Sequence, residues 1–205
     1  MAEKLNVLVM ESERGAADVA REELTAAGHA VLRCHEPGSS AFPCNALAEG
    51  QQCPLEAAIV DVALDVRSRP RSQPAPQEDG VACALRHHIP VVVAGPTVLN
   101  PYDGHAQLLG RTFDVVDACE QAAHAPLGEH SAAAARALRE VLDRRDIPSA
   151  PLVAVRRRRG ALAVEVRGAG RIDDATKSMA SVRMSAALRE IDHHARGIDV
   201  VFHEH

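Results

Sequence analysis

The chain is expected to fold as an α/β protein: a doubly wound parallel sheet of five strands, followed by a small C-terminal β-β-α-β unit. Three observations lead there. Residues 5 to about 144 alternate between short apolar runs of strand length and stretches with helical spacing, the pattern of a parallel sheet covered on both faces. A Pro-containing stretch at 146–150 interrupts that alternation. Beyond it, 152–156 and 161–167 alternate apolar and polar residues, which reads as a hairpin rather than as buried parallel strands.

Each element follows from local pattern. Leu5, Val7, Leu8, Val9 and Met10 make a buried first strand, and Ala17, Val19, Ala20, Leu24 and Ala27 space a helix over 14–27. Gly28 stands where a helix-ending glycine belongs. Residues 29–33 form a short second strand, a Pro/Gly/Ser loop follows, and a helix is expected near 45–50. The third strand is placed at 55–62, and 65–79, rich in Arg and Pro, is a solvated loop. Residues 80–88 read as a helix, 89–94 as the fourth strand, 101–110 as a short helix and 112–116 as the fifth strand. Residues 131–144 form a helix with Ser131 as its N-cap. The expected domains are therefore 1–145 and 151–205, the second ending in a helix over 173–196 and a strand over 198–202.

Composition narrows the function classes. With 205 residues, 46% hydrophobic and 25% charged, the chain is an ordinary globular one, and its 2% aromatic content leaves Ala, Val, Leu and Ile to build the core. A net charge of −5 argues against a general nucleic-acid binder, and no apolar run reaches membrane-spanning length. The first residues lack the basic and apolar regions of a signal peptide, so the cytoplasm is the expected location. Five irregularly spaced Cys do not suggest a disulfide framework; Cys34, His35, Cys44 and Cys53 match no familiar zinc spacing.

Two acidic features stand at expected strand ends. Glu11-Ser12-Glu13 closes the first strand, and Asp61 lies in Ala58-Ile59-Val60-Asp61-Val62-Ala63-Leu64. In an open parallel sheet the carboxyl ends of neighbouring strands border the ligand crevice. Carboxylates converging there hold a hard cation such as Mg²⁺. Glu11, Glu13 and Asp61 are the candidate metal ligands.

Residues 5 to about 144 resemble the receiver domain of two-component response regulators. The resemblance lies in Val7-Leu8-Val9-Met10-Glu11-Ser12-Glu13, in Ala58-Ile59-Val60-Asp61-Val62, in Asp79-Gly80, and in His88-Ile89-Pro90-Val91-Val92-Val93. It implies a flavodoxin-like fold, a phospho-acceptor at Asp61, Mg²⁺ held weakly by the acidic residues, and a His kinase as phosphoryl source. The departures from the family pattern are several. Ser12 replaces the second acidic residue, and the family's hydroxyl falls on Ala94 or Gly95, with Thr97 a displaced substitute switch residue. The family's Lys and following Pro are missing; Asp117-Ala118 lies near that place.

The reading that follows is a non-enzymatic signalling protein. It is an atypical or pseudo-receiver working through protein contacts, with the C-terminal unit as an output or homodimerisation piece. The alternative is a working receiver phosphorylated on Asp61. An unrelated flavodoxin-like enzyme would need a nucleophile, base or cofactor loop that the chain lacks; there is no Walker-type loop and no nucleophile elbow. The run Arg156-Arg157-Arg158-Arg159 suits nucleic-acid phosphates, an acidic partner or a solvated turn, and without aromatic platforms nucleic acid is not the expected partner. The His pairs and the His-Glu-His end are expected to be surface groups.

Overall fold

A computed structural model describes residues 4–35, 44, 46, 52–96, 98–109 and 114–203. They form two compact units, 1–123 and 124–205.

The first unit is α/β. β1 (Asn6–Glu11), β2 (Ala30–Leu32), β3 (Val62–Val66) and β4 (Val91–Ala94) lie in the parallel order β2-β1-β3-β4, and short β5 (Gln107–Leu109) pairs in parallel with β4. Strand residues alternate between two apolar layers. Val7, Val9, Val62, Leu64, Val92 and Ala94 face α1 (Asp18–Ala26) and α4 (Val115–His124). Leu8, Met10, Ala63, Val91 and Val93 pack with Val81 and Ala84 of α3 (Asp79–Arg86). Helices thus cover both faces, which is why these strands are continuous apolar runs. His29 pins one edge: its Nδ1 accepts the Leu5 N–H at 3.2 Å, while Nε2 lies 3.4 Å from Glu120. Gly28 follows α1 with φ +91°, as a helix-ending glycine should.

Several local expectations shift. The third strand is not at 55–62; α2 (Pro54–Ala57) occupies its start, and the strand begins at Val62. Pro54 suits a first helical turn, because its missing N–H would be unbonded there anyway. The helix expected over 101–110 is a turn over 101–105 leading into β5. Of the fifth strand expected over 112–116, residues 112 and 113 lie outside the described residues, and Val115 and Val116 open α4. Almost all of the helix expected at 45–50 also lies outside them.

In the second unit β6 (Leu152–Arg158), β7 (Ala161–Arg167) and β8 (Ile198–His203) form a sheet, with β6–β7 antiparallel and β7–β8 parallel. The hairpin turns on Arg159 and Gly160, both with positive φ (+49° and +76°), the geometry whose twist matches that of paired strands. α6 (Asp174–Ile191) provides the crossover; the Asp173 side chain caps it by accepting the Thr176 N–H at 2.7 Å. α5 (Gly128–Arg144) also belongs here. Its Ala134, Leu138, Val141 and Leu142 share a core with Val155, Leu162, Val164, Val166, Met184 and Leu188. The boundary expected near 145 therefore moves to 123/124, because the apolar stripe of α5 is buried against the second sheet and not the first. Ser131 lies inside α5 rather than capping it; its hydroxyl accepts the Val155 N–H at 2.9 Å.

Among the described residues no helix is long and apolar enough to cross a membrane.

One glycine is required by a close approach. Gly95 follows β4 with φ +117°, and a Cβ there would lie 2.1 Å from the Arg67 carbonyl oxygen. Gly95→Ala is expected to destabilise the first unit by about 2–4 kcal/mol through backbone strain and overlap, read as a lower denaturant midpoint.

Candidate functional site: a buried Asp65–Arg67–Glu78 cluster

Register decides which carboxylates meet. Val7 pairs with Val62 and Glu11 with Val66, so Asp61 is level with Asn6 at the amino end of the sheet. The Asp61 carboxylate accepts the Asn6 N–H at 2.8 Å, its own N–H donates to the Asn6 carbonyl at 3.0 Å, and the Asn6 amide donates to Ile59 at 2.7 Å. Five residue steps along β1 separate it from Glu11, roughly 16 Å at strand rise. The expected set Glu11, Glu13 and Asp61 is therefore not assembled. Asp61 organises the strand entry instead.

The two glutamates have local partners. Glu11 accepts the Ala17 N–H at 3.1 Å, just before α1, and lies 3.5 Å from Arg21. Glu13 accepts from the Ser68 hydroxyl at 2.6 Å, from Arg71 at 2.7 Å and from Arg69. These partners, the Ser68 hydroxyl foremost, hold its carboxyl below the usual range. Ser12 is buried, and its Oγ accepts the Ser68 N–H at 3.2 Å. Thr97 lies outside the described residues. At the end of β4 the tight approach at Gly95 leaves no room for a hydroxyl-bearing side chain.

The carboxylate at the other end of β3 is Asp65. It pairs in register with Met10 and Val93 and is fully buried on the α3 face. Arg67 and Glu78 are buried beside it. Arg67 Nε donates to Glu78 at 2.7 Å and lies 4.0 Å from Asp65. Its guanidinium also donates to the Arg71 carbonyl at 3.0 Å, the Leu99 carbonyl at 3.4 Å and the Gln73 carbonyl at 3.5 Å. Glu78 accepts the Ala75 N–H with its second oxygen. One buried side chain therefore fastens the 68–78 loop over the carboxyl ends of β3 and β4. The Arg/Pro composition of this segment suggested a solvated loop; Arg67 and Glu78 give it a polar core of its own.

Asp65 is the odd member. Neither oxygen has a donor among the described residues. Burial first, then the neighbouring Glu78 carboxylate, push its pKa up to about 8 against the pull of Arg67. The proton is best placed between the two carboxyl groups, with the charge on Glu78 facing Arg67, so the cluster is close to neutral overall. Tyr102 packs over it; burial, with Glu78 and Asp65 adding to it, raises its phenol well above the ordinary value. Asp65 stands four residues after Asp61 in one uninterrupted apolar run, and sequence reasoning gave the strand end to the wrong carboxylate of the two.

Other candidates are accounted for. The Arg156–Arg159 run does not form one basic patch. Arg156 lies 3.2 Å from Glu165 and donates to the His124 carbonyl at 3.1 Å, whereas Arg157 is buried and donates to Asp192. Asp192, fully buried, also lies 3.6 Å from His130 and accepts the His194 N–H at 3.0 Å. Burial alone would raise its pKa, but His130 and Arg157 hold it well below the carboxylate range. The Cys34 thiol is raised to about 12, by burial first and then by Cys53, Cys83 and Cys44. Among the described residues no three His, Cys, Asp or Glu side chains are grouped to hold a metal ion.

Two expectations follow. The folded chain keeps a proton on Asp65 that the unfolded chain releases between roughly pH 4 and about 8, so this group's contribution to stability is full below that window and declines as pH rises through it. Asp65→Asn, which retains a donor toward Glu78, should flatten that decline and stabilise the protein at pH 8 by about 1–3 kcal/mol, measured by urea unfolding at several pH values. Asp192 behaves oppositely: its stabilisation is present above its unfolded pKa and fades as pH falls below about 4. Asp192→Ala strands Arg157 without its carboxylate and should cost about 3–5 kcal/mol at neutral pH, seen as a lower melting temperature.

No family model, no curated protein and no solved structure matches the chain.

Proposed function

We propose that this chain is a non-catalytic signalling module: a receiver-like unit of the five-stranded flavodoxin-like kind that acts through protein contacts, joined to a smaller α/β unit. The observation that carries this reading is the closure of the carboxyl-end crevice by Arg67. In open parallel α/β sheets that crevice is where ligands are held. Here the guanidinium, two buried carboxyl groups and the 68–78 loop occupy it. The strand order β2-β1-β3-β4-β5 is that of the flavodoxin-like class and supports the fold part of the reading.

The chemistry is consistent with a switch that has lost its phosphoryl step. An aspartyl phosphate needs an accessible carboxylate, a nearby cation, and groups that grip the phosphoryl oxygens. Asp65 is buried and holds a proton; Asp61 faces Asn6 at the far end; Glu11 and Glu13 are bound to Arg21, Arg69 and Arg71. On this reading the α/β unit acts through contacts of its outer surface with other proteins.

The test is incubation with Mg²⁺ and acetyl phosphate, read by intact mass. No phosphoryl adduct is expected on the wild-type chain, nor on Asp61→Asn or Asp65→Asn. A hydroxylamine-sensitive adduct that disappears in Asp61→Asn would instead make this a working receiver dependent on a His kinase.

A further inference from the structure

The second unit presents two sheet edges of different character. The β6 edge is bonded at its centre: the Leu127 N–H donates to the Val155 carbonyl at 2.7 Å, and the Val155 N–H donates to the Ser131 hydroxyl. The β8 edge pairs with β7 on one side and with no described residue on the other. A six-residue edge with unpaired backbone groups is a template for another strand.

The identity of those groups follows from pairing. Leu162 of β7 donates its N–H to Gly197 at 2.9 Å, so in the parallel ladder odd-numbered β8 residues turn their backbone toward β7. Ile198, Val200 and Phe202 therefore direct N–H and C=O outward. Their side chains point the other way from those of their neighbours, into the core with Val164 and Leu188. Asp199, Val201 and His203 have exposed side chains, and Val201 is 51% exposed.

We propose that β8 is a homodimer interface, at which two copies of this chain pair antiparallel about a twofold axis passing at Val201. This deepens the protein-contact role proposed above by naming its partner as a second copy. In that register Val200 faces Phe202 of the second copy as a hydrogen-bonded pair, and the symmetric pair repeats it. Both residues are core-facing, so the two sheets continue into one six-stranded sheet with aligned apolar layers. On the exposed face Val201 meets Val201, and Asp199 meets His203, in the closely approaching non-hydrogen-bonded positions. An acidic group thus opposes an imidazole on each side of an apolar centre, and the strand is complementary to itself. Moving the axis to Val200 keeps the faces aligned but sets Asp199 against Val201 and loses that match.

The full chain should sediment as a dimer at concentrations of roughly 1–100 μM, where small interfaces associate. Val201→Lys places two ammonium groups against each other on an exposed position and should weaken the dimer at least ~10-fold. Val200→Pro removes one outward N–H without touching the β7 ladder and should do the same, with circular dichroism unchanged. Val201→Cys should yield, on mild oxidation, a covalent dimer whose peptide map contains a 201–201 disulfide. A wild-type chain that stays monomeric overturns the proposal, as does a dimer that survives both Val201→Lys and Val200→Pro. Failure to form the 201–201 link while the dimer persists overturns the register. None of these outcomes depends on the phosphoryl-transfer test, so the two readings fail separately.

Discussion

The first unit depends on the burial of Arg67. A guanidinium cannot be deprotonated, so placing it out of water demands an anion and acceptors for its remaining donors. Glu78 supplies the anion, and three backbone carbonyls from 71, 73 and 99 supply the acceptors. Those carbonyls belong to the 68–78 loop, which Glu13 also holds through Ser68, Arg69 and Arg71, and to the segment that leads to buried Tyr102. The ion pair thereby turns a Pro- and Arg-rich stretch into a folded lid and sets the entry to α3. The backbone of the same residue requires Gly95, because the Arg67 carbonyl and the end of β4 approach more closely than any side chain permits.

The cluster also decides the protonation of its third member. With Arg67 neutralised by Glu78, a second negative charge on Asp65 would have no counter-charge and no donor. Keeping the proton is the lower-energy solution, and it makes the group chemically quiet near neutral pH. A carboxyl group in this state neither attacks a phosphoryl donor nor ligates a divalent cation readily.

The second unit uses the same device differently. Asp192 gathers Arg157 from β6, His130 from α5 and the N–H of His194, so a single carboxylate connects the hairpin, α5 and the exit of α6. Because α5 contributes both to this cluster and to the apolar core, it is committed to the second sheet. The β8 edge pairs with no described residue on its outer side, and its residues alternate between core-facing and exposed.

Much of the architecture was legible in the residues. Apolar runs of strand length at Val7–Met10 and Ile89–Ala94, the glycine after α1 and the alternating hairpin each carry their signal within a few neighbouring positions. What could not be read was register and partnership. The run from Ala57 to Val66 holds two Asp four residues apart, and local pattern suits a strand ending at either. Pairing with β1, the hydrogen bonds between Asp61 and Asn6, and the helical turn begun by Pro54 select the later one. Likewise α5 is an amphipathic helix by sequence, but which sheet receives its apolar stripe depends on residues beyond it in the chain, and four consecutive Arg look alike until the pleat sends Arg157 inward and Arg156 outward. The sequence by itself determined which segments become helices and strands over most of the chain, because those preferences are local. Only the tertiary structure decided which carboxylates are buried, which of them Arg67 neutralises and which unit owns α5, because those outcomes depend on contacts between residues distant in sequence.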